Sequence, residues 1–112
     1  TRGGVAVGPF GVMGGFMQPQ GHMQMVVNTL DYGMNPQASL DAPRWQWTAG
    51  RGVQIESDVN AAVARRLGAR GHLMQPLAPS GTFGRGQIIW RLPSGEYMAG
   101  SDKRADGYAG GA

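Results

Sequence analysis

The apolar run Phe10–Met13 ends at the pair Gly14-Gly15, which predicts a short buried strand feeding a glycine turn. Beyond Pro19, a natural first-turn residue, Met23, Val26, Val27 and Leu30 fall at i, i+3, i+4 and i+7. That stripe predicts an amphipathic helix over 20–32, with Gly33 as its stop. Asn35 and Pro36 supply an N-cap and a first helical residue for a short helix through Leu40, halted before Pro43. From Arg44 the period falls to two. Trp45 and Trp47 share one face, and after a glycine-containing link Val53 and Ile55 alternate in the same way, as in a hairpin. Ser57 is placed to cap a second long helix with the stripe Val59, Ala62, Val63 and Leu67, with Arg65, Arg66 and Arg70 toward water and Gly71 as its stop. Gly68 inside that helix costs about 1 kcal/mol relative to alanine, so close packing is expected there. Residues 72–75 read as a returning strand and 76–86 as a loop. Strands are predicted over 87–92 and 96–101, joined by the turn Pro93-Ser94-Gly95.

These elements give an α+β class: a few antiparallel strands, two main helices covering one sheet face, and no internal repeat. At 112 residues, the chain has room for one domain core or part of one, and we read 1–112 as a single partial domain. The first strand behaves as a central strand without an earlier partner. Three tryptophans and seven methionines are a large apolar load for so few elements, so some of it is expected to cover an adjoining piece. Twenty glycines and seven prolines beside 41% hydrophobic residues describe a turn-rich globular piece rather than a disordered tail. No apolar run approaches the ~20 residues of a membrane-spanning helix, and Thr1 to Phe10 lack the charged start and apolar middle of a secretory signal. No membrane partner is expected.

The absence of cysteine excludes a disulfide framework, a thiol nucleophile and thiolate metal sites. The net charge is +3, and nine of the ten cations are arginines spread along the chain, with only Arg65-Arg66 and Lys103-Arg104 adjacent. Nucleic acid, which calls for a dense basic face, is therefore not an expected partner. The two histidines are 50 residues apart, and no Ser/His/Asp, paired-carboxylate or metal-ligand set is recognisable, so no metal or cofactor is expected. His22 reads as a surface or capping residue and His72 as structural. Asp31, Asp41, Asp102 and Asp106 fall at helix ends and turns, where structural hydrogen bonding accounts for them. The informative motif is Gly14-Gly15 between a strand and a helix. Adjacent glycines there can point their N–H groups at an anion, either a phosphate or the oxygen charge that develops in acyl transfer, although a purely structural turn uses the same residues. Neither a terminal Gly-Lys-Ser/Thr nor a G-x-G-x-x-G pattern accompanies them, which argues against a nucleotide.

The string Phe10-Gly-Val-Met-Gly-Gly-Phe-Met-Gln-Pro-Gln-Gly-His-Met-Gln24, followed by Asp31-Tyr-Gly-Met-Asn-Pro-Gln-Ala-Ser-Leu-Asp-Ala-Pro-Arg-Trp45, resembles the C-terminal part of the gamma-glutamyltranspeptidase small subunit. The likeness continues through Ile55-Glu-Ser57, Arg70-Gly-His72, Gly84-Arg-Gly-Gln87, Gly100-Ser-Asp102 and Asp106-Gly107. The resemblance implies part of a four-layered αββα N-terminal nucleophile hydrolase, made as a zymogen that cuts itself into a large and a small subunit. It implies that a newly exposed threonine attacks the γ-glutamyl amide of glutathione or a related compound and passes the acyl group to water or an acceptor amine. On the matching positions, Gly14 and Gly15 would be the oxyanion-hole glycines, with Met13 and Phe16 flanking them. The implied partners are the large subunit, the N-terminal part of the small subunit and a γ-glutamyl small molecule.

The departures from the family pattern are specific. Thr1 precedes Gly14 by only thirteen positions, whereas the family's nucleophile lies many tens of residues earlier, and Thr1 is followed by Arg2-Gly3-Gly4 rather than a polar strand. The nucleophile is therefore expected outside this chain, which alone should be inactive. Lys103 stands where the family commonly has proline, and Gln18-Pro19-Gln20 points to a bacterial gamma-glutamyltranspeptidase-like branch. Two other classes stay open at this level: a non-catalytic fragment or degenerate paralogue with an association role, and an unrelated small basic binding module.

Overall fold

A computed structural model of the protein describes residues 1–75 and 82–111. The element order is β1 (Phe10–Met13), a 3-10 turn (Gly15–Met17), α1 (Gln18–Leu30), α2 (Pro36–Asp41), β2 (Trp45–Trp47), β3 (Gly52–Ile55), α3 (Ala61–Ala69), β4 (Leu73–Gln75), β5 (Arg85–Arg91) and β6 (Tyr97–Ser101). The elements form two three-stranded sheets, ordered β1-β5-β6 and β2-β3-β4. The first sheet is antiparallel throughout, with Phe10 opposite Ile88 and Ile88 opposite Gly100. In the second, the predicted hairpin pairs Trp45 with Ile55 and Trp47 with Val53, while β4 joins β3 in parallel. Most of the loop expected over 76–86 lies outside the described residues.

The core lies between the first sheet and two helices. Val12, Met25, Leu40 and Ile88 are each at most 2% exposed, with Phe10 and Trp90 packed against them. Each such side chain contributes about 1.5–3 kcal/mol by leaving water. α2 is positioned as its sequence predicts. Asn35 caps it by accepting the Ala38 N–H at 2.8 Å, and Pro36 occupies the first turn.

Four expectations are corrected. α1 forms, but its apolar stripe is not its buried face: Met23, Val26 and Leu30 are 42%, 39% and 57% exposed, and Gly21, Gln24 and Met25 are buried instead. Gly21 decides this orientation, because it is the point of closest approach to β1. A Cβ there would lie 2.8 Å from Val12 Cγ1. The helix covering the sheet beside α1 is α2 rather than α3, which lies against β4 and buries no residue. A Cβ on Gly68 would meet no atom of another described element within 4 Å, so the expected close packing is absent among the described residues. Finally, the α3 cap is Asn60, which accepts the Ala62 N–H at 2.8 Å, and not Ser57.

Side-chain amides close the strand edges. Gln20 donates to the Trp47 C=O at 3.1 Å and accepts the Trp47 N–H at 2.7 Å. One helical turn later, Gln24 does the same for Trp45, at 2.9 and 3.2 Å. This pair of glutamines substitutes for a neighbouring strand along β2 and fixes the hairpin to α1, which blunts an edge that could otherwise recruit another chain. Gln37 treats Ser101 of β6 identically, at 2.9 and 3.1 Å. The far face of the first sheet, with Met13, Arg85, Gln87 and Ile89 exposed, is left uncovered by any described helix.

Candidate functional site

The turn between β1 and α1 is set by Gly14 and Gly15. Gly14 sits at φ 149°, ψ 27°, and Gly15 at φ 57°, backbone conformations that side chains rarely allow. Their carbonyls close the turn: Gly14 C=O accepts the Met17 N–H at 3.0 Å and Gly15 C=O accepts the Gln18 N–H. Their own N–H groups donate to no acceptor among the described residues. Met17, fully buried, pins the turn, while Met13 and Phe16 beside it are 62% and 95% exposed. Gly14 and Gly15 are thus exposed residues whose two adjacent amides have no described acceptor, on a backbone whose carbonyls are already engaged, an arrangement open to an anion.

A second segment supports this turn from below. A Cβ on Gly14 would lie 2.9 Å from Gly84 Cα, and one on Gly84, at φ 74°, would lie 2.4 Å from the Met13 carbonyl oxygen. Only glycines let the two backbones approach this closely. Gly84 is held in turn by Arg44, which is 1% exposed. Its Nη1 donates to the Phe83 and Gly84 carbonyls at 3.0 and 2.9 Å, and its Nη2 donates to Asp102 Oδ2 at 2.6 Å.

Asp102 belongs to a buried charge network that the sequence reading treated as an ordinary turn residue. Its Oδ2 also accepts the Gly86 N–H at 2.6 Å, and its Oδ1 accepts the Arg104 N–H at 2.9 Å and Arg104 Nη1 at 3.0 Å. Arg104 continues to Glu56 with a two-point ion pair, Nε to Oε1 at 2.6 Å and Nη2 to Oε2, and to the Leu40 and Ala42 carbonyls at 2.8 and 3.1 Å. Burial alone would raise the Asp102 carboxyl. The Arg104 N–H, the Arg44 charge and the Gly86 N–H outweigh it and hold Asp102 below the ordinary carboxylate range. Burial, with the nearby Arg104 charge, lowers Arg44. Arg104 is also opposed by burial, but its hydrogen bond and charge pairing with Glu56 raise it. The only sequence signal for this network is a charged residue, Arg44, set between Pro43 and Trp45 at the start of a strand.

His22 is no cap. Its ring spans from the Val12 N–H, 3.3 Å from Nε2, to the Gln18 C=O, 2.6 Å from Nδ1. His72 is exposed, just before β4 of the second sheet, and Thr1 is exposed beside Phe10 and Trp90. Among the described residues the Asp41 carboxylate accepts only from Gln37, one turn earlier in α2. Among the described residues no three His, Asp or Glu side chains converge as a metal-ligand set, and no helix is long and apolar enough to cross a membrane.

The family model described as Gamma-glutamyltranspeptidase matches residues 1–112. A glutathione hydrolase-like YwrD proenzyme of Bacillus subtilis is 32% identical over 108 residues, covering 91% of this chain and 21% of that protein. The glutathione hydrolase proenzyme of Escherichia coli is 34% identical over 85 residues, covering 74% of this chain and 14% of that protein. The crystal structure of a cephalosporin acylase from Bacillus halodurans superimposes with a TM-score of 0.91 at 56% identity, covering 96% of this chain and 20% of that one. A gamma-glutamyltranspeptidase from Pseudomonas nitroreducens shares the fold, with a TM-score of 0.85 at 20% identity. The chain thus spans about a fifth or less of the curated relatives it matches. With its helix-covered antiparallel sheet forming part of an αββα sandwich, this chain belongs to the gamma-glutamyltranspeptidase family.

Proposed function

We propose that this chain is the C-terminal segment of a gamma-glutamyltransferase-like enzyme, which hydrolyses or transfers the γ-glutamyl group of glutathione-like compounds. The attacking group is an N-terminal threonine that this chain does not contain, released when the precursor cuts itself. Gly14 and Gly15 supply the oxyanion hole. When the threonine oxygen adds to the amide carbonyl, the carbonyl oxygen takes up negative charge, and the two backbone N–H groups stabilise it. The leaving amine departs with the proton given up by the threonine hydroxyl as the carbonyl re-forms, and water or an acceptor amine then attacks the acyl–threonine ester, takes the acyl group and returns a proton to the threonine oxygen. The observation carrying this reading is the pair of exposed glycine amides that no described acceptor occupies, on a turn whose carbonyls are engaged. The rest of the precursor covers the open face of the first sheet and the exposed stripe of α1.

The 56% identity to a cephalosporin acylase favours a second reading of the substrate, in which the amide attacked is that of an acylated cephalosporin. Both readings use the same chemistry and are separated by one assay. Full-length precursor is offered a γ-glutamyl p-nitroanilide and, in parallel, an acylated cephalosporin. Release of p-nitroaniline supports the first, and cleavage of the cephalosporin amide alone supports the second. The 112 residues by themselves should release neither product. Processed full-length protein inactive on both would return the chain to a non-catalytic, associative role, and turnover by the isolated chain, abolished by Thr1→Ala, would make Thr1 the nucleophile.

A further inference from the structure

We propose that His22 is a positioning residue for the Gly14-Gly15 turn, a role that rests on the oxyanion reading above. Val12 and Gln18 are the two arms of that turn, one in β1 before it and the other opening α1 after it. Pro9 C=O receives the Ile89 N–H at 2.9 Å, so alternate residues of this segment face β5 and the Val12 amide points to the free edge. There it meets His22 Nε2 at 3.3 Å, while Nδ1 lies 2.6 Å from the Gln18 C=O. The imidazole therefore bridges the base of the turn, and Phe10 holds it edge-on, with ring centroids 5.6 Å apart at 62°.

The two partners dictate the state of the ring. A backbone N–H only donates and a carbonyl only accepts, so Nδ1 carries the proton and Nε2 is bare. Neither β1 nor α1 carries an Asp, Glu, Lys or Arg. From β5, Arg85 is the charged group lining the same cleft as His22, together with Gly11, Met13, Gln18 and Gln87, so no described carboxylate there competes for the ring. A positioning role therefore predicts that loss of the bridge slows the chemical step, because oxyanion donors act only when held in place.

The test is steady-state kinetics of the full-length protein, on whichever of the two substrates it turns over. His22→Ala should lower kcat by about 10–10²-fold with little change in KM, since a small misplacement of catalytic donors is amplified in the rate. His22→Gln, whose amide oxygen can accept the Val12 N–H, should recover much of that rate. A His22→Ala protein with unchanged kcat and only a lower melting temperature would overturn the role while leaving the acyl-transfer reading intact. Should neither substrate turn over, that reading fails, and nitrogen-15 NMR of labelled histidine and glycine still decides the geometry. The Nδ1–H tautomer, with Gly14 and Gly15 amide shifts that move in His22→Ala, supports the bridge; the Nε2–H tautomer, or glycine shifts that ignore the substitution, defeats it.

Discussion

Asp102 is 1% exposed and accepts four hydrogen bonds, from Arg44, the Gly86 N–H and, twice, Arg104. Removing one charge from such a site leaves Arg44 buried without its counterion, so Asp102→Asn should destabilise the protein by about 3–5 kcal/mol in denaturant unfolding. Its pH dependence follows from the same contacts. The folded carboxyl lies below its unfolded value of about 3.9, so the unfolded chain binds the proton first. The stabilisation is complete above that unfolded value and is lost as the pH falls through the lower folded one. Unfolding measured through the acid range should show this slope in the natural protein, and Asp102→Asn should flatten it. The sequence displayed Asp102 and Arg44 plainly, yet a turn aspartate and a strand-start arginine give no hint that a separation of 58 residues closes to 2.6 Å.

Among the elements, β1, α2 and the β2–β3 hairpin were legible because local chemistry decides them: a glycine stop, an Asn-Pro start and a period of two. The orientation of α1 was not, because it depends on how closely Gly21 approaches Val12, a contact between elements that helical periodicity does not encode. The same holds for Gln20 and Gln24. Their spacing of four puts them on one helix face, but only the position of β2 turns them into a strand-edge ladder. Gln24, at 6% exposure, is the stronger of the pair. Gln24→Leu leaves the Trp45 N–H and C=O without partners and should cost about 1–3 kcal/mol by thermal or denaturant unfolding. Gln20→Ala, with water able to replace its bonds, should cost less.

At the scale of the whole molecule, one sheet has helices on a single face, and the helix nearest the turn shows Met23, Val26 and Leu30 to solvent. The excess of apolar residues for the number of elements was visible in composition, and exposed Trp47 and Leu30 answer to it. Substitution of Leu30 by Glu should change stability of the segment itself by no more than about 0.5 kcal/mol, as for other surface sites. In the full-length protein the same change should lower the yield of folded, processed enzyme, measured by the fraction of precursor converted to two subunits. The glycine pair was legible from its place between strand and helix and from family resemblance. Gly84 and Arg44 beneath it were not, since they reach the turn only through tertiary structure.

The most direct measurement is the kinetics of Gly14→Ala in the full-length protein. A methyl group there meets Gly84 Cα at 2.9 Å and must displace the two amides. Amides that bind the reaction's oxyanion require kcat to fall by about 10²-fold or more while KM changes little. A kcat equal to that of the unsubstituted enzyme, with the protein folded and processed, would contradict the role assigned to Gly14 and Gly15.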